Sequence, residues 1–376
     1  MLKGVRLTLM VGPLVPLPVS QAVLDALTSV EVTAKDLGPS GFSLSFRLEN
    51  RSILPTLFMI AGGVPIPIVR VIIVATVNGT PHVLSDGMVT RTEVLPGDDA
   101  GHSTLQVTGE DLTVAMDQQD FSGLPFPAMP AEGRVALLIA KYMFLGLIPA
   151  VIPSVLVDVV IPTTRIPAQR GTDLSYIKQL AARVGYVFYI DPGPRPGMNI
   201  AYWGPQIKVG VPQSALNINM DAHTNVESLS FSFDNSKNGI PTVYYYDEIT
   251  KAPIVVPIPP ITPLNPPLGL LPPIPKQLKP AGRGLSKFSL PQAIMIGLAK
   301  SSQWAEAVSG RGELNVIRYG NVLKPRGLVG VRGAGIAFDG LHYVKSVTHK
   351  IKRGEYKQSF ELSRNGLIST LPKVPV

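Results

Sequence analysis

Hydrophobic and polar residues alternate along several short stretches of the chain. Between residues 42 and 49, Phe42, Leu44, Phe46 and Leu48 fall on one face, which predicts a half-buried strand. Further signals before residue 116 are strands at 69–77, 81–84, 88–95 and 103–109, a hairpin turn at Asn78-Gly79 and a turn at Asp86-Gly87. Short strands separated by turn residues are typical of barrels and sandwiches. Residues 28–116 are therefore predicted to form a first β-barrel domain.

A second group of alternating stretches begins near residue 216. Leu229, Phe231 and Phe233 alternate with serine, and the pattern slips near Glu227. Further predicted strands are residues 242–247, 313–318, 328–331, 342–351 and 356–362, with Tyr356, Gln358, Phe360 and Leu362 on one face of the last. The capping box Ser289-Leu-Pro-Gln292 predicts a helix up to Ser309, ended by Gly310. Residues 216–252 and 285–366 are predicted to build a second β-barrel domain.

The middle of the chain, residues 117–215, has a mixed pattern that predicts a small α/β insertion domain. One helix is expected over residues 132–147. Another lies in the stretch 171–190, where Thr172 or Asp173 can cap the first turn and Gly185 can supply a left-handed residue after the last. Aromatic and branched residues follow directly, as expected of a buried strand.

Three segments lie outside these units. Residues 1–27 are proline-rich and are predicted to be an N-terminal arm that packs on a neighbour. Residues 253–284 carry a dense proline run, which predicts a linker or insertion in extended conformation. Residues 367–376 form a C-terminal tail.

Composition narrows the function classes. The 376-residue chain is 45% hydrophobic and has no cysteine, which excludes disulfides, thiolate metal sites and cysteine nucleophiles. The two most apolar regions, residues 53–77 and 137–160, contain charges and several prolines. A membrane helix needs roughly 20 apolar residues with few breaks, so buried strands or subunit interfaces are favoured over membrane insertion.

The net charge of +8 is unevenly distributed. From Arg283 onward there are 15 Lys and Arg against 5 Asp and Glu, so the basic charge belongs to the C-terminal end. Such a region can face an acidic protein or nucleic acid. No nucleic-acid-binding motif accompanies it, so nucleic-acid binding is the weaker interpretation.

No catalytic constellation is apparent in the sequence. The five histidines, His82, His102, His223, His342 and His349, have no metal-ligand spacing. The glycine motifs at 38–41, 282–284 and 333–335 lack the rest of a nucleophile elbow, Walker or dinucleotide fingerprint. The acidic pairs Asp98-Asp99 and Asp247-Glu248 are typical of turns. The sequence therefore predicts no catalytic residue, no metal and no cofactor.

Several stretches together resemble the phage late control D family. They are Ser-Gly-Phe-Ser-Leu-Ser-Phe ending at Phe46, Leu-Ser-Asp-Gly-Met-Val-Thr ending at Thr90, Ser-Thr-Leu-Gln-Val-Thr-Gly-Glu-Asp-Leu ending at Leu112, Gly-Thr-Asp-Leu-Ser-Tyr-Ile ending at Ile177, and Ser-Phe-Glu-Leu-Ser-Arg-Asn ending at Asn365. The order and spacing of these pieces carry the resemblance. Members of this family are baseplate hub proteins of contractile phage tails and injection systems.

The resemblance implies a mainly β fold with two tube-protein-like β-barrel domains per chain plus a small α/β domain. It also implies a homotrimer whose six barrels adapt a sixfold inner tube to a threefold spike. Because the chain ends at Val376 without a spike domain, the spike is expected to be a separate protein. The remaining partners would be other baseplate components.

The predicted function is a non-enzymatic baseplate hub, assembled in the bacterial cytoplasm as part of a phage tail-like particle. Lys350, Lys352 and Arg353 are predicted to contact an acidic face of the tube or spike protein. The alternatives are a tail-associated enzyme that degrades the cell wall, a membrane-associated β-barrel and a monomeric nucleic-acid binder.

Overall fold

The computed structural model describes residues 4–48, 52–61, 64–65, 68–96, 103–154, 166–235, 239–247, 251–258, 266–272, 277–280 and 290–370. The strands up to residue 111 are β1 Val5–Gly12, β2 Leu17–Pro18, β3 Leu27–Lys35, β4 Gly41–Leu48, β5 Ile60–Ala61, β6 Val64–Pro65, β7 Arg70–Val77, β8 Thr80–Pro96 and β9 Ser103–Asp111. Those that follow up to residue 217 are β10 Leu147–Val151, β11 Val187–Pro192, β12 Asn199–Gly204 and β13 Gln213–Asn217.

The remaining strands are β14 Val226–Phe233, β15 Gly239–Asp247, β16 Ala252–Pro257, β17 Gly269–Leu271, β18 Gln277–Pro280, β19 Val308–Asn315, β20 Leu328–Arg332, β21 Gly340–Lys352, β22 Glu355–Arg364 and β23 Leu367–Ser369. The α-helices are α1 Gln21–Ala26, α2 Leu54–Phe58, α3 Thr113–Met116, α4 Ala131–Ala140, α5 Asp173–Arg183, α6 Leu290–Trp304 and α7 Val316–Tyr319. Short 3-10 helices span Met143–Leu145 and Asp221–His223. The fold is mainly β with an α/β insertion, which confirms the predicted fold class.

Both predicted β units contribute to one hydrogen-bonded sheet of 13 strands. Its main path runs β14-β19-β22-β21-β3-β4-β9-β8-β7-β1-β2, with β20 on β21 and β13 on β20. The units meet where β21 pairs antiparallel with β3. A single hydrophobic core, which includes Leu44 and Phe46 of the first unit and Val347 and Phe360 of the second, lies under both.

The two units have the same strand order. In the first unit, neighbouring strands follow the order β3-β4-β9-β8-β7. In the second unit they follow the order β14-β19-β22-β21-β20. When the strands of each unit are counted along the chain, both orders are first, second, fifth, fourth, third. A short helix follows the second strand of each, α2 in one and α7 in the other. The unit is therefore duplicated at the level of topology.

Irregularities in strand pairing repeat as well. The first strand of each unit shifts register near its start, between Leu27 and Ser29 in β3 and between Val226 and Ser228 in β14. The fourth strand shifts between Val89 and Arg91 in β8 and between Val344 and Ser346 in β21. Because a β-bulge fixes register, these shifts align the two units residue by residue. The slip predicted near Glu227 is confirmed.

The insertion has its own hydrophobic core. Helices α4 and α5 pack on the sheet β10-β12-β11, with Leu138, Ile177, Leu180 and Trp203 buried between them. Helix α5 begins as predicted, because the Thr172 hydroxyl accepts a hydrogen bond from the Ser175 amide. The predicted left-handed residue after it is also found, at Gly185 with a φ of +70°.

The described parts of the proline-rich region form paired strands and not an extended linker. β15, β16 and β18 form a three-stranded sheet, on which helix α6 packs through Ala293 and Ile296. β17 pairs with β23, so this region is also bound to the C-terminal part of the chain. It is inserted between the first two strands of the second unit.

Several local predictions are wrong. The segment 1–27 is not an arm on a neighbour, because β1 pairs with β7 along its whole length and buries Leu9 in the chain's own core. The Asp86-Gly87 pair is not a turn but lies within the continuous strand β8. The helix expected to reach Ser309 ends at Trp304, and Gly310 lies in β19 opposite Phe231.

Candidate interaction surfaces

One face of the sheet packs on the core and the opposite face is polar. Across the eight strands from β14 to β8, side chains alternate between the two faces. The polar face carries charged residues and many short side chains, among them Ser43, Ser45, Thr33, Thr348, Ser228, Ser230, Ser232, Ser309, Ser359, Gln106 and Thr108. Some bond across strands, such as the Thr33 and Thr348 hydroxyls at 3.1 Å and those of Ser232 and Ser309 at 2.7 Å. This is a broad surface suited to contact with water.

Lys350, one of the three predicted contact residues, belongs to a charged group on this face. Its Nζ lies 3.8 Å from the carboxylate of Glu313. The Lys357 Nζ lies 2.8 Å from Glu227 and 3.5 Å from the same Glu313. These side chains are between 27% and 47% exposed, so a binding partner can reach their charges.

Lys352 and Arg353 lie together at the tip of the β21–β22 hairpin, beyond the polar face. The Arg353 guanidinium donates to the main-chain carbonyl of Asp25 in helix α1. Both cations line two grooves that flank α1. The first groove, of about 500 Å³, has a partly apolar wall that includes Leu24 and Ile351. The structure thus groups Lys352 with Arg353 and places Lys350 in a separate charged group.

A buried ionic cluster holds the segment after β12 between the two units. The Glu306 carboxylate receives hydrogen bonds from Lys208 at 2.5 Å and from Lys345 at 2.8 Å. Burial raises the pKa of Glu306, but the two ammonium groups outweigh this effect and hold it below its ordinary value. Nearby, Gln206 donates to Asp36 at 3.0 Å, and burial raises the pKa of that carboxyl. These side chains hold one another in place and link the segment after β12 to both β units.

A second buried ion pair joins the first unit to the insertion. Arg70 Nε and Nη2 donate to the two carboxylate oxygens of Asp86, each at 2.7 Å. Arg70 Nη2 also donates to the Leu145 carbonyl at 2.7 Å, and Asn199 Nδ2 donates to Asp86 at 2.8 Å. This bidentate pair explains why Asp86 is not at a turn.

The histidines and acidic pairs form no catalytic arrangement in the described part of the chain. His342 and His349 are buried, and desolvation lowers the pKa of each to about 3. No group of three or more His, Asp or Glu that could hold a metal occurs among the described residues. His102, Asp98-Asp99, Glu248 and the motif 282–284 lie outside those residues. Of the helices described, none has the length and apolarity needed to span a bilayer.

The sequence did not reveal that two strands of the repeat have an open edge. β14 pairs only with β19 among the described strands. β8 pairs with β9 over residues 87–96, but on its other side β7 ends at Arg70, opposite Met88. The serine alternation at Ser228, Ser230 and Ser232 predicted a strand there, but an edge is defined only by the pairing of the whole sheet.

Comparison with known proteins identifies the fold. The tail protein from Neisseria meningitidis MC58 is 12% identical over 97% of this chain and 98% of that one, with a TM-score of 0.63. The 43 kDa tail protein of prophage MuSo2 from Shewanella oneidensis is 13% identical over 96% and 98%, with a TM-score of 0.60. No protein-family model and no curated protein matches the sequence.

The same fold occurs in a secretion system. The E. coli c3393 protein, a component of the type VI secretion system with structural similarity to T4 bacteriophage tail proteins gp27 and gp5, has a TM-score of 0.51. It is 11% identical over 93% of this chain and 78% of that one. The chain therefore has the fold of phage tail and baseplate proteins.

Proposed function

We propose that this protein is a structural baseplate hub of the late control D type, which adapts a sixfold inner tube to a threefold spike. The observation that carries this proposal is the duplicated unit. Two units with the same strand order and the same register shifts stand side by side in one sheet. Three such chains present six nearly equivalent units on one side while keeping threefold symmetry on the other.

The surfaces support this role. In a ring of three chains with the polar face turned inward, the short serine and threonine side chains would line a hydrated channel. The apolar side would then pack within and between chains. The inner tube, a separate spike protein and other baseplate components would bind above and below, in a particle assembled in the bacterial cytoplasm.

The mass of the purified protein in solution tests the proposal directly. We expect light scattering during gel filtration to give three times the chain mass of 40.2 kDa. Three copies are required because the duplicated unit imitates sixfold symmetry only in a trimer. A stable single copy at micromolar concentration would contradict the hub.

The predicted contact residues can be tested by charge reversal. In the variant Lys350→Glu, Lys352→Glu, Arg353→Glu, we expect the trimer to persist and complete particles to become rare, because like charges would then oppose the partner. Electron microscopy of particles produced with all other components present measures the yield.

The control carries the same change in net charge at exposed lysines elsewhere: Lys178→Glu, Lys251→Glu, Lys300→Glu. It should assemble normally. An equal yield from both triple variants would show that the hairpin tip does not contact the tube or spike.

A further inference from the structure

The chain contains one junction between two copies of its repeated unit. There the fourth strand of the second unit, β21, pairs with the first strand of the first unit, β3. The seven residue pairs run from Ser346 opposite Lys35 to Lys352 opposite Ser29. This pairing uses the edge of β21 that lies beyond the end of β20, since β20 pairs only as far as Tyr343.

The first unit has the same edge, and the described strands leave it open. β7 is equivalent to β20, and it pairs with β8 only as far as Met88. Beyond that point β8 continues to Pro96 with β9 on one side. The first strand of the second unit, β14, is open in turn, because its only described neighbour is β19. The open edge of β8 is therefore equivalent to the edge of β21 at the internal junction, and the open edge of β14 is equivalent to the edge of β3.

The edge of β14 lacks the usual protection against pairing, whereas β8 carries Arg91, Glu93 and Pro96. Natural edge strands are commonly blocked by lysine, proline or an inward charge. From Ser228 to Phe233, β14 has only serine, leucine and phenylalanine. Its Leu229, Phe231 and Phe233 remain partly exposed. Val94 of β8 is 49% exposed, although Leu105, which lies opposite it in β9, is fully buried in the core. An edge of this kind is expected to be covered in the assembled protein.

We propose that β8 of one copy pairs antiparallel with β14 of the next, in the register of the internal β21–β3 junction. This inference rests on the proposed trimer and adds the surface and register by which it closes. Aligning the units on their register shifts places Val94 opposite Phe231, where the internal junction has His349 opposite Val32. Eight strands from each of three copies then form one continuous ring.

The chemistry of the facing residues fits this register. Arg91, whose side chain is 70% exposed and pairs with Glu93 within the chain, falls opposite Asp234. On the polar face, Glu93 falls opposite Ser232, where the internal junction has Thr348 opposite Thr33. On the core face, the pair of Val94 and Phe231 is apolar. Opposite charges and aromatic with β-branched pairs both stabilise neighbouring strands.

Engineered cysteines test the register in a chain that has none of its own. The pair Glu93→Cys and Ser232→Cys copies the position of Thr348 and Thr33, whose hydroxyls are 3.1 Å apart. On mild oxidation, most of the protein should become covalently linked trimer, because directly opposite residues in antiparallel strands can meet disulfide geometry. Non-reducing gels measure the linked species, and each single-cysteine variant should remain unlinked.

A shifted pair checks the register. Glu93→Cys with Ser230→Cys lies on the same face but two residues away, so it should link far less. Trimers by mass without linkage in the first pair would overturn the junction and leave the hub standing. Stronger linkage in the shifted pair would overturn the register. A single copy by mass, measured under reducing conditions, would overturn the hub as well as the junction.

Discussion

Replacing Arg70 with leucine is expected to lower the free energy of unfolding by about 3–5 kcal/mol, the usual cost of removing one partner of a buried ion pair. Arg70 and Asp86 are both almost fully buried. Without the guanidinium, Asp86 keeps only the amide of Asn199 as a side-chain donor, and the Leu145 carbonyl loses its donor. Urea unfolding of the purified protein at fixed concentration measures the loss.

The duplication supplies the second variant. Leu328 and Leu341 occupy the positions in the second unit that Arg70 and Asp86 occupy in the first, and they pack with Leu268 and Tyr343 in an apolar cluster. The double variant Arg70→Leu, Asp86→Leu therefore copies an arrangement that this fold already uses. It should recover much of the lost stability, since no charge is left buried and unpaired.

Arg6→Leu serves as the matched control, because Arg6 is an exposed arginine on the adjacent strand β1. It should change the unfolding free energy by less than about 0.5 kcal/mol. If Arg70→Leu behaved like Arg6→Leu, the ion pair would not be what joins the insertion to the first unit.

Strand positions could be predicted from the sequence because one face of each strand packs on the core. Burial selects apolar residues at every second position, so the alternation from Phe42 to Phe46 is visible without any structure. Turn chemistry is equally local: Asn78 and Gly79 have φ of +50° and +84°, as a tight hairpin turn requires.

Long-range pairing has no local signal of this kind, and the errors lie there. Asp86-Gly87 has the composition of a turn, but Arg70 stabilises the aspartate inside a strand. Pro13, Pro16 and Pro18 suggested an irregular N-terminus, although β1 precedes the first of them.

The duplication of the unit could not be recognised from the sequence either. Equivalent residues such as Val94 and His349, or Arg70 and Leu328, share a place in the sheet but not a chemical type. The register shifts that align the two units appear only when the strands are paired. For the same reason, the choice of Lys350, Lys352 and Arg353 by charge could not reveal the open edges of β8 and β14.

Acid is the condition under which the fold should weaken most. His342 and His349 have pKa values of about 3 in the folded protein because burial disfavours their charged form. His349 Nδ1 lies 2.8 Å from the hydroxyl of Tyr356, with His82 as a further nearby titratable group. The neighbouring charge of Arg364 adds to the effect at His342. Neither site offers an acidic partner to a protonated imidazole.

The unfolded chain protonates these histidines near pH 6.5, while the folded chain does not until about pH 3. Stability is therefore complete above the unfolded value and is lost as the pH falls. Between pH 7 and pH 5 the two histidines together should cost roughly 4 kcal/mol of unfolding free energy. Urea unfolding at each pH and constant protein concentration gives the curve. The carboxyl of Glu306, whose pKa is lowered, adds its own loss only at more acidic pH.

Replacing either buried histidine isolates its share of this loss. His342→Gln or His349→Gln should each remove about half of the loss that these two histidines cause between pH 7 and pH 5, whatever either change costs at neutral pH. His223→Gln is the control, because His223 is exposed in a 3-10 helix, and it should leave the curve unchanged. If both buried-histidine variants kept the full slope, the acid sensitivity would have to come from other groups, because a residue that cannot bind a proton cannot contribute to the linkage.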